Sequence, residues 1–282
     1  MKTATAHLIA EHAADRITIR RSNHQSPIMV QHAATNARPF IHPIIAPDGN
    51  GTLTENAPPH HPWQHGLYVG LNDVNGVGFW TEGVRQSPTD GTFHPRHLAA
   101  PTVDGARCSW SVTSEWRAPD GHALLVETQA WMLHDRGTSY DLDLQWTLTA
   151  SVALTFGKYG YGGLFVRMPY VSQGTAINSE GLQTPAKTEA QRARWVAIAL
   201  PIPDRTGSDP IAGLAMMDHP SNPEHPVPWR VDGQLGISPS RCIAGAWTLA
   251  AGASSTARHR VFIHSGATDV SAVESSWSRF IL

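Results

Sequence analysis

The sequence predicts an all-β protein, a large antiparallel β-sandwich with a short C-terminal helix. Long stretches alternate apolar and polar residues with period two, most clearly over 107–150. Turn signals such as Asp48-Gly49-Asn50-Gly51, Asn75-Gly76 and Asp120-Gly121 punctuate the chain. Only residues 269–282 show helical spacing of any length. A dozen or more short strands with almost no helix indicate two packed sheets or a closed barrel.

Taken in order, residues 1–14 read as a frayed start or a first edge strand. Residues 16–20 alternate, and 27–30 and 39–45 are two more short runs. Strands at 67–71 and 77–81 flank Asn75-Gly76, a strong hairpin dipeptide. Over 107–150, Cys108, Trp110, Val112 and Trp116 share one face. Leu124, Val126 and Thr128 continue it, and Leu142, Leu144, Trp146 and Leu148 close an antiparallel meander. Residues 157–163, rich in glycine and tyrosine, turn at the sheet rim. Further strands are expected at 164–170, 193–200, 213–217 and 257–264. Loops are expected at 201–210 and at 218–229, the second holding Pro220, Pro223, Pro226 and Pro228. Val270, Val273, Trp277 and Phe280 fall on one face of the final helix, which Thr268 or Asp269 caps. With no internal repeat or linker, residues 1–282 read as a single sandwich domain.

Composition narrows the function. The chain has 282 residues, 41% hydrophobic and only 16% charged, which is ample for a core. A net charge of −2 argues against a general nucleic-acid binder. Ten tryptophans supply large buried faces and flat platforms for sugar rings. Cys108 and Cys242, far apart, give neither a metal knuckle nor a disulfide framework, which fits a reducing compartment. The start of the chain lacks an apolar signal-peptide core, and no window is long and apolar enough to span a membrane. The expectation is a cytoplasmic protein with no membrane partner, its homo-oligomeric state left open. Gly160-Tyr161-Gly162-Gly163 lacks the ending of a phosphate-binding loop, and no serine sits in a nucleophile elbow. No resident cofactor is expected.

The chemistry concentrates in Pro58-Pro59-His60-His61-Pro62-Trp63-Gln64-His65-Gly66. Three prolines and a glycine make this a stiff loop, not a helix, feeding the strand at 67–70. Imidazoles take or give protons near neutrality, so His61 and His65 are candidate acid/base groups. His60, Trp63 and Gln64 are candidate substrate contacts. Arg167, a cation inside an otherwise apolar strand, either pairs at a sheet edge or points into a pocket and polarises a substrate oxygen. Tyr159, Tyr161 and Tyr170 flank it, and Tyr170 is a candidate contact. His219 is a fourth catalytic candidate, with Asp218 beside it. Trp80 and Glu82 follow the predicted hairpin, Trp80 as a ring wall or a core indole.

Several segments together resemble one known family. His61-Pro62-Trp63-Gln64-His65-Gly66-Leu67-Tyr68 is similar to its histidine-rich signature, with Gln64 where a histidine is expected. Residues 72–80 resemble its hairpin. Residues 213–220 with Asn222, Pro228 and Trp229, and the closing strand 261–266, resemble two further segments. The family is the methane oxygenase PmoA-like family. Membrane methane oxidation is set aside, because this chain has no membrane-spanning helix pattern. The resemblance implies a fold similar to the galactose-mutarotase supersandwich.

The first reading is a carbohydrate-active enzyme acting on a small sugar, glycoside or keto-sugar, by C–O cleavage or epimerisation. One alternative is a metal-dependent hydrolase or oxygenase using the same histidines. Its divalent ion would draw further ligands from Glu82, His94, His97, Asp218 or His219. The other alternative is a non-catalytic sugar-binding module.

Overall fold

The computed structural model describes residues 7–84, 87–171 and 173–282. The first six residues of the expected frayed start lie outside the described residues. Two large antiparallel sheets face each other. The first runs Leu8–Ala13, Arg16–Arg21, Met29–His32, Phe40–Ile44, Leu67–Gly70, Gly163–Val166, Ile237–Pro239 and Trp229–Val231. The second runs Thr175–Asn178, Trp195–Pro201, Ile211–Asp218, Ser254–Ser265, Ser139–Ala150, Ala123–Asp135, Arg107–Arg117 and Thr92–Pro95, with Thr102–Asp104 pairing beside it. Leu154–Phe156 and Trp247–Leu249 form a small third sheet. The fold is the antiparallel β-sandwich expected. Among the described residues no helix is long and apolar enough to cross a membrane.

Apolar residues from both sheets merge into one core. Ile17, Val69 and Leu164 of the first sheet meet Val112, Leu142 and Ile263 of the second. Each fully buried side chain of this size contributes on the order of 1.5–3 kcal/mol. A second cluster covers the outer face of the second sheet. There Val273 and Phe280 of the helix Val270–Phe280 pack on Trp195, Met217 and Phe262. The helix starts where expected, with the Asp269 side chain accepting from the backbone N–H groups of Ser271 and Ala272.

Two expectations need correction. Strand Ala123–Asp135 turns its other set inward: Leu125, Glu127, Gln129, Trp131 and Leu133 are buried, while Val126 and Thr128 are half-buried. The polar pair is misleading because tryptophans satisfy it. Trp116 and Trp146 donate their indole N–H groups to the two oxygens of Glu127 at 3.1 and 2.7 Å, and Trp131 donates to Gln129 at 3.1 Å. Residues 77–81 form no regular strand. Asn75 and Gly76 do turn the chain at φ +52° and +79°, but only Val77 bridges back, to Val74. The stretch then leaves Leu71 after a single bond from Phe79 N–H.

Candidate functional site

The pleat of two neighbouring strands creates the site. Leu67–Gly70 pairs with Gly163–Val166, setting Tyr68 opposite Phe165. Leu67, Val69, Leu164 and Val166 point into the core between the sheets, so Tyr68 and Phe165 point to the outer face. There they gather Trp63 and Trp80, with Phe40 and Tyr161 packed alongside. Trp80 lies 5.5 Å from Tyr68, 5.4 Å from Phe165 and 4.7 Å from Tyr161, centroid to centroid. Trp63, Trp80, Tyr161 and Phe165 wall a cleft of about 490 Å³ including its mouth, completed by His61, Gln64, Thr81, Arg230 and Asp232.

The histidine loop is folded tightly against this face. Ala57 N–H bonds Gln64 C=O, Gln64 N–H bonds His61 C=O and Gly66 N–H bonds Glu55 C=O, at 2.7, 3.0 and 2.8 Å. Gly66 sits at φ +67°, where a Cβ would lie 2.5 Å from the Ile41 carbonyl oxygen, so no other residue closes the loop here. His61 lines the cleft edge-on to Trp63 at 5.3 Å, and the His60 ring is 4.9 Å from His61.

Arg167 continues the outward set of Tyr68 and Phe165 one step past the strand and is only 1% exposed. Its Nε donates to Glu55 at 3.0 Å, and its Nη2 to His60 Nε2 at 2.7 Å and Gln234 Oε1 at 2.6 Å. A guanidinium can only donate, so His60 Nε2 accepts from Arg167, with Gln234 Oε1 3.2 Å away. Arg167 therefore holds the histidine loop from beneath and positions it.

A second buried cation fastens the cleft walls. Arg38 Nη2 donates to the carbonyls of Trp80 and Trp63, at 2.6 and 3.3 Å, and lies 3.1 Å from Glu82. Its guanidinium stacks over Tyr68 at 4.4 Å. Glu82 also accepts from Arg38 N–H at 2.6 Å and meets His65 Nε2 at 2.9 Å. Burial pushes the Glu82 carboxyl up, but the Arg38 charge and the His65 bond outweigh it and hold it at about 2. His65 Nδ1 faces Asn56 Oδ1 at 2.7 Å. His65 and Glu82 thus belong to a relay behind the cleft wall, running Arg38–Glu82–His65–Asn56.

The remaining candidates lie elsewhere. His219 sits edge-on to Phe280 at 5.0 Å, on the helix-bearing face of the other sheet, its Nδ1 accepting from Ser221 N–H. Burial lowers its pKa first, with Arg258 adding to the effect. Asp218 is fully buried and accepts from Asn222, His225 and Val227, holding its proline-rich loop. Tyr170 packs against the intersheet core. His94 is tied to Thr92 at 2.9 Å. Among the described residues, no group of three or more His, Cys, Asp or Glu side chains gathers to hold a metal ion.

Sequence reasoning missed Arg38, Glu55, Asn56, Thr81, Phe165, Arg230, Asp232 and Gln234. Phe165 alone carried a readable signal, since it shares the parity of Arg167.

A family model matches residues 23–278, that of a family of unknown function, DUF6807. The chain belongs to DUF6807. The methane oxygenase PmoA-like label is not the one that matches. No curated protein matches this DUF6807 chain. Among solved structures it is similar to an α-galactosidase from Lactobacillus brevis, with 12% identity over 94% of this chain and 41% of that one, at a TM-score of 0.41. The GH36 α-galactosidase AgaB from Geobacillus stearothermophilus gives 10% identity, 92% and 41% coverage and a TM-score of 0.37. The DUF6807 chain therefore spans about two-fifths of the length of these proteins.

Proposed function

We propose that the cleft binds a small sugar or glycoside and that His61 exchanges protons with it. The observation that supports this reading is the composition of one cavity. Aromatic faces from Trp63, Trp80 and Tyr161 stand beside groups able to bond hydroxyls, namely His61, Gln64, Thr81, Arg230 and Asp232. Flat apolar walls with a few placed polar groups suit a sugar ring, which has an apolar face and a polar rim.

In this reading Trp63 and Trp80 stack on the ring. His61 and Asp232 are the acid/base groups, since both line the cleft and both side chains can carry a proton. Asp232 is held by the N–H groups of Gln234 and Gly236, both 2.9 Å from Oδ1. Arg230 is braced by Glu189 at 2.6 Å. Arg167 and His65 are positioning residues. C–O cleavage and epimerisation both need such a proton-exchanging pair.

Turnover of a panel of glycosides and their keto forms tests this. On a responding substrate, His61→Ala is expected to lower kcat about 10²–10⁴-fold, while Trp80→Ala acts mainly through KM. Undiminished turnover by His61→Ala sinks the acid/base assignment. Sugar binding that survives loss of His60, His61 and His65, with no turnover by the intact protein, identifies a binding module instead.

A further inference from the structure

The cleft does not end at Tyr161. Thr81 and Tyr161 also line a second polar trough that continues beyond them. An aromatic line crosses from one to the other: Trp80 is 4.7 Å from Tyr161, and Tyr161 is 4.8 Å from Tyr159, which lines the trough alone. Tyr159 is fixed by its N–H bond to Cys242 C=O at 3.0 Å.

The trough has its own hydrogen-bonding groups. A Cβ at Gly78 would lie 3.0 Å from Asp90 Oδ1 and 3.1 Å from Asn72 Oδ1, so both oxygens converge over a residue that has no side chain. Asp90 Oδ2 takes the Thr81 hydroxyl. Among the described residues, Asp90 Oδ1 and the Asn72 side chain have no hydrogen-bond partner. Asp73 adds a second carboxylate to the lining. Acceptor oxygens that converge beside an aromatic ring match hydroxyl donors, and two carboxylates in one lining disfavour an anionic ligand.

We propose that the trough binds the second unit of a glycoside whose first ring occupies the cleft. That unit is a neutral, hydroxyl-rich ring resting on Tyr159, with hydroxyls donating to Asn72 and Asp90. The assignment rests on the sugar reading of the cleft. It makes the natural ligand a disaccharide or a glycoside with a polar aglycone, and it excludes a uronic acid in the second position.

Calorimetric titration of the intact chain separates the two readings. The probes are glucose and galactose, set against maltose, cellobiose, lactose and melibiose. At least one disaccharide is expected to bind about tenfold more tightly than either of its monosaccharides. Tyr159→Ala and Asn72→Ala are each expected to erase most of that advantage and leave monosaccharide affinity within about twofold. Equal affinity for mono- and disaccharides overturns the trough assignment and leaves the cleft reading standing. Variants that weaken both ligand classes alike overturn it in the same way. No binding by any of the sugars overturns the cleft reading and the trough with it.

Discussion

Arg38→Met is expected to cost about 3–5 kcal/mol of stability and to abolish ligand binding in the cleft. Arg38 is 1% exposed and holds the Trp63 and Trp80 carbonyls together. Its removal strands Glu82, a carboxylate with 11% side-chain exposure, leaving it only His65 and the backbone N–H of residue 38. Unpaired buried charge dominates such losses, so Arg38→Met combined with Glu82→Gln is expected to recover part of the stability. Recovery of sugar binding is not expected, because the two indole walls stay unfastened. Lysine is a poor substitute, since an ammonium has no planar face to stack on Tyr68 and is more strongly hydrated, so costlier to bury. Urea unfolding of Arg38→Met, Arg38→Lys and the double variant checks this. A loss below about 1 kcal/mol for Arg38→Met would show the relay to be incidental.

The intersheet core is expected to lose stability as pH rises from acid to neutral. Burial drives the Glu127 carboxyl up to about 7, and the indole donors of Trp116 and Trp146 offset this only partly. Its folded pKa lies above the ordinary value of 4.5, so the folded state holds a proton that the unfolded chain releases. This contribution is fully present below 4.5, falls as pH rises and is gone above about 7, a swing on the order of 3 kcal/mol. Glu82 acts in the opposite sense at lower pH. Held at about 2, it contributes fully above 4.5 and loses that contribution as pH falls toward 2. Glu127→Gln sets its amide N–H₂ against one indole donor and so lowers stability throughout, yet it should flatten the fall between 4.5 and 7. Denaturation midpoints across that window decide it; an unchanged slope in Glu127→Gln would place the titration elsewhere.

The sandwich was largely legible because its long strands alternate cleanly. Trp110, Val112 and Trp116 announce a buried face, as do Leu142, Leu144 and Leu148. The reading failed at Ala123–Asp135, where Glu127 and Gln129 occupy core positions and indole donors make that tolerable. It failed again at 77–81, where Asn75-Gly76 turns the chain but Gly78 then bonds Thr89 and Gly91 instead of the preceding strand, leaving Phe79 N–H alone to reach Leu71. At the site, the histidine loop and Arg167 stood out by residue type, since proline-bound histidines and a cation amid Leu164, Phe165 and Val166 are unusual. Arg38 did not, because Asn36-Ala37-Arg38-Pro39 reads as an ordinary turn and nothing local says that the arginine is swallowed. His219 was linked to the loop by chemistry alone, and chemistry does not reveal on which face of which sheet a residue stands.

The pleat of Gly163–Val166 has an evolutionary consequence. Leu164 and Val166 belong to the interior while Phe165 and Arg167 belong to the ligand face, so two unrelated selective pressures are interleaved letter by letter. One inserted or deleted residue there would exchange the two sets, sending a guanidinium inward and aliphatics outward. Such a strand is closed to gradual change in length. Diversification of ligand preference in this lineage is therefore expected at cleft- and trough-lining residues outside the paired strands, such as Gln64, Thr81, Ser87, Thr89 and Asp232. Divergent copies of this chain should differ most at those positions and keep the spacing from Leu67 to Gly70 and from Gly163 to Arg167 invariant.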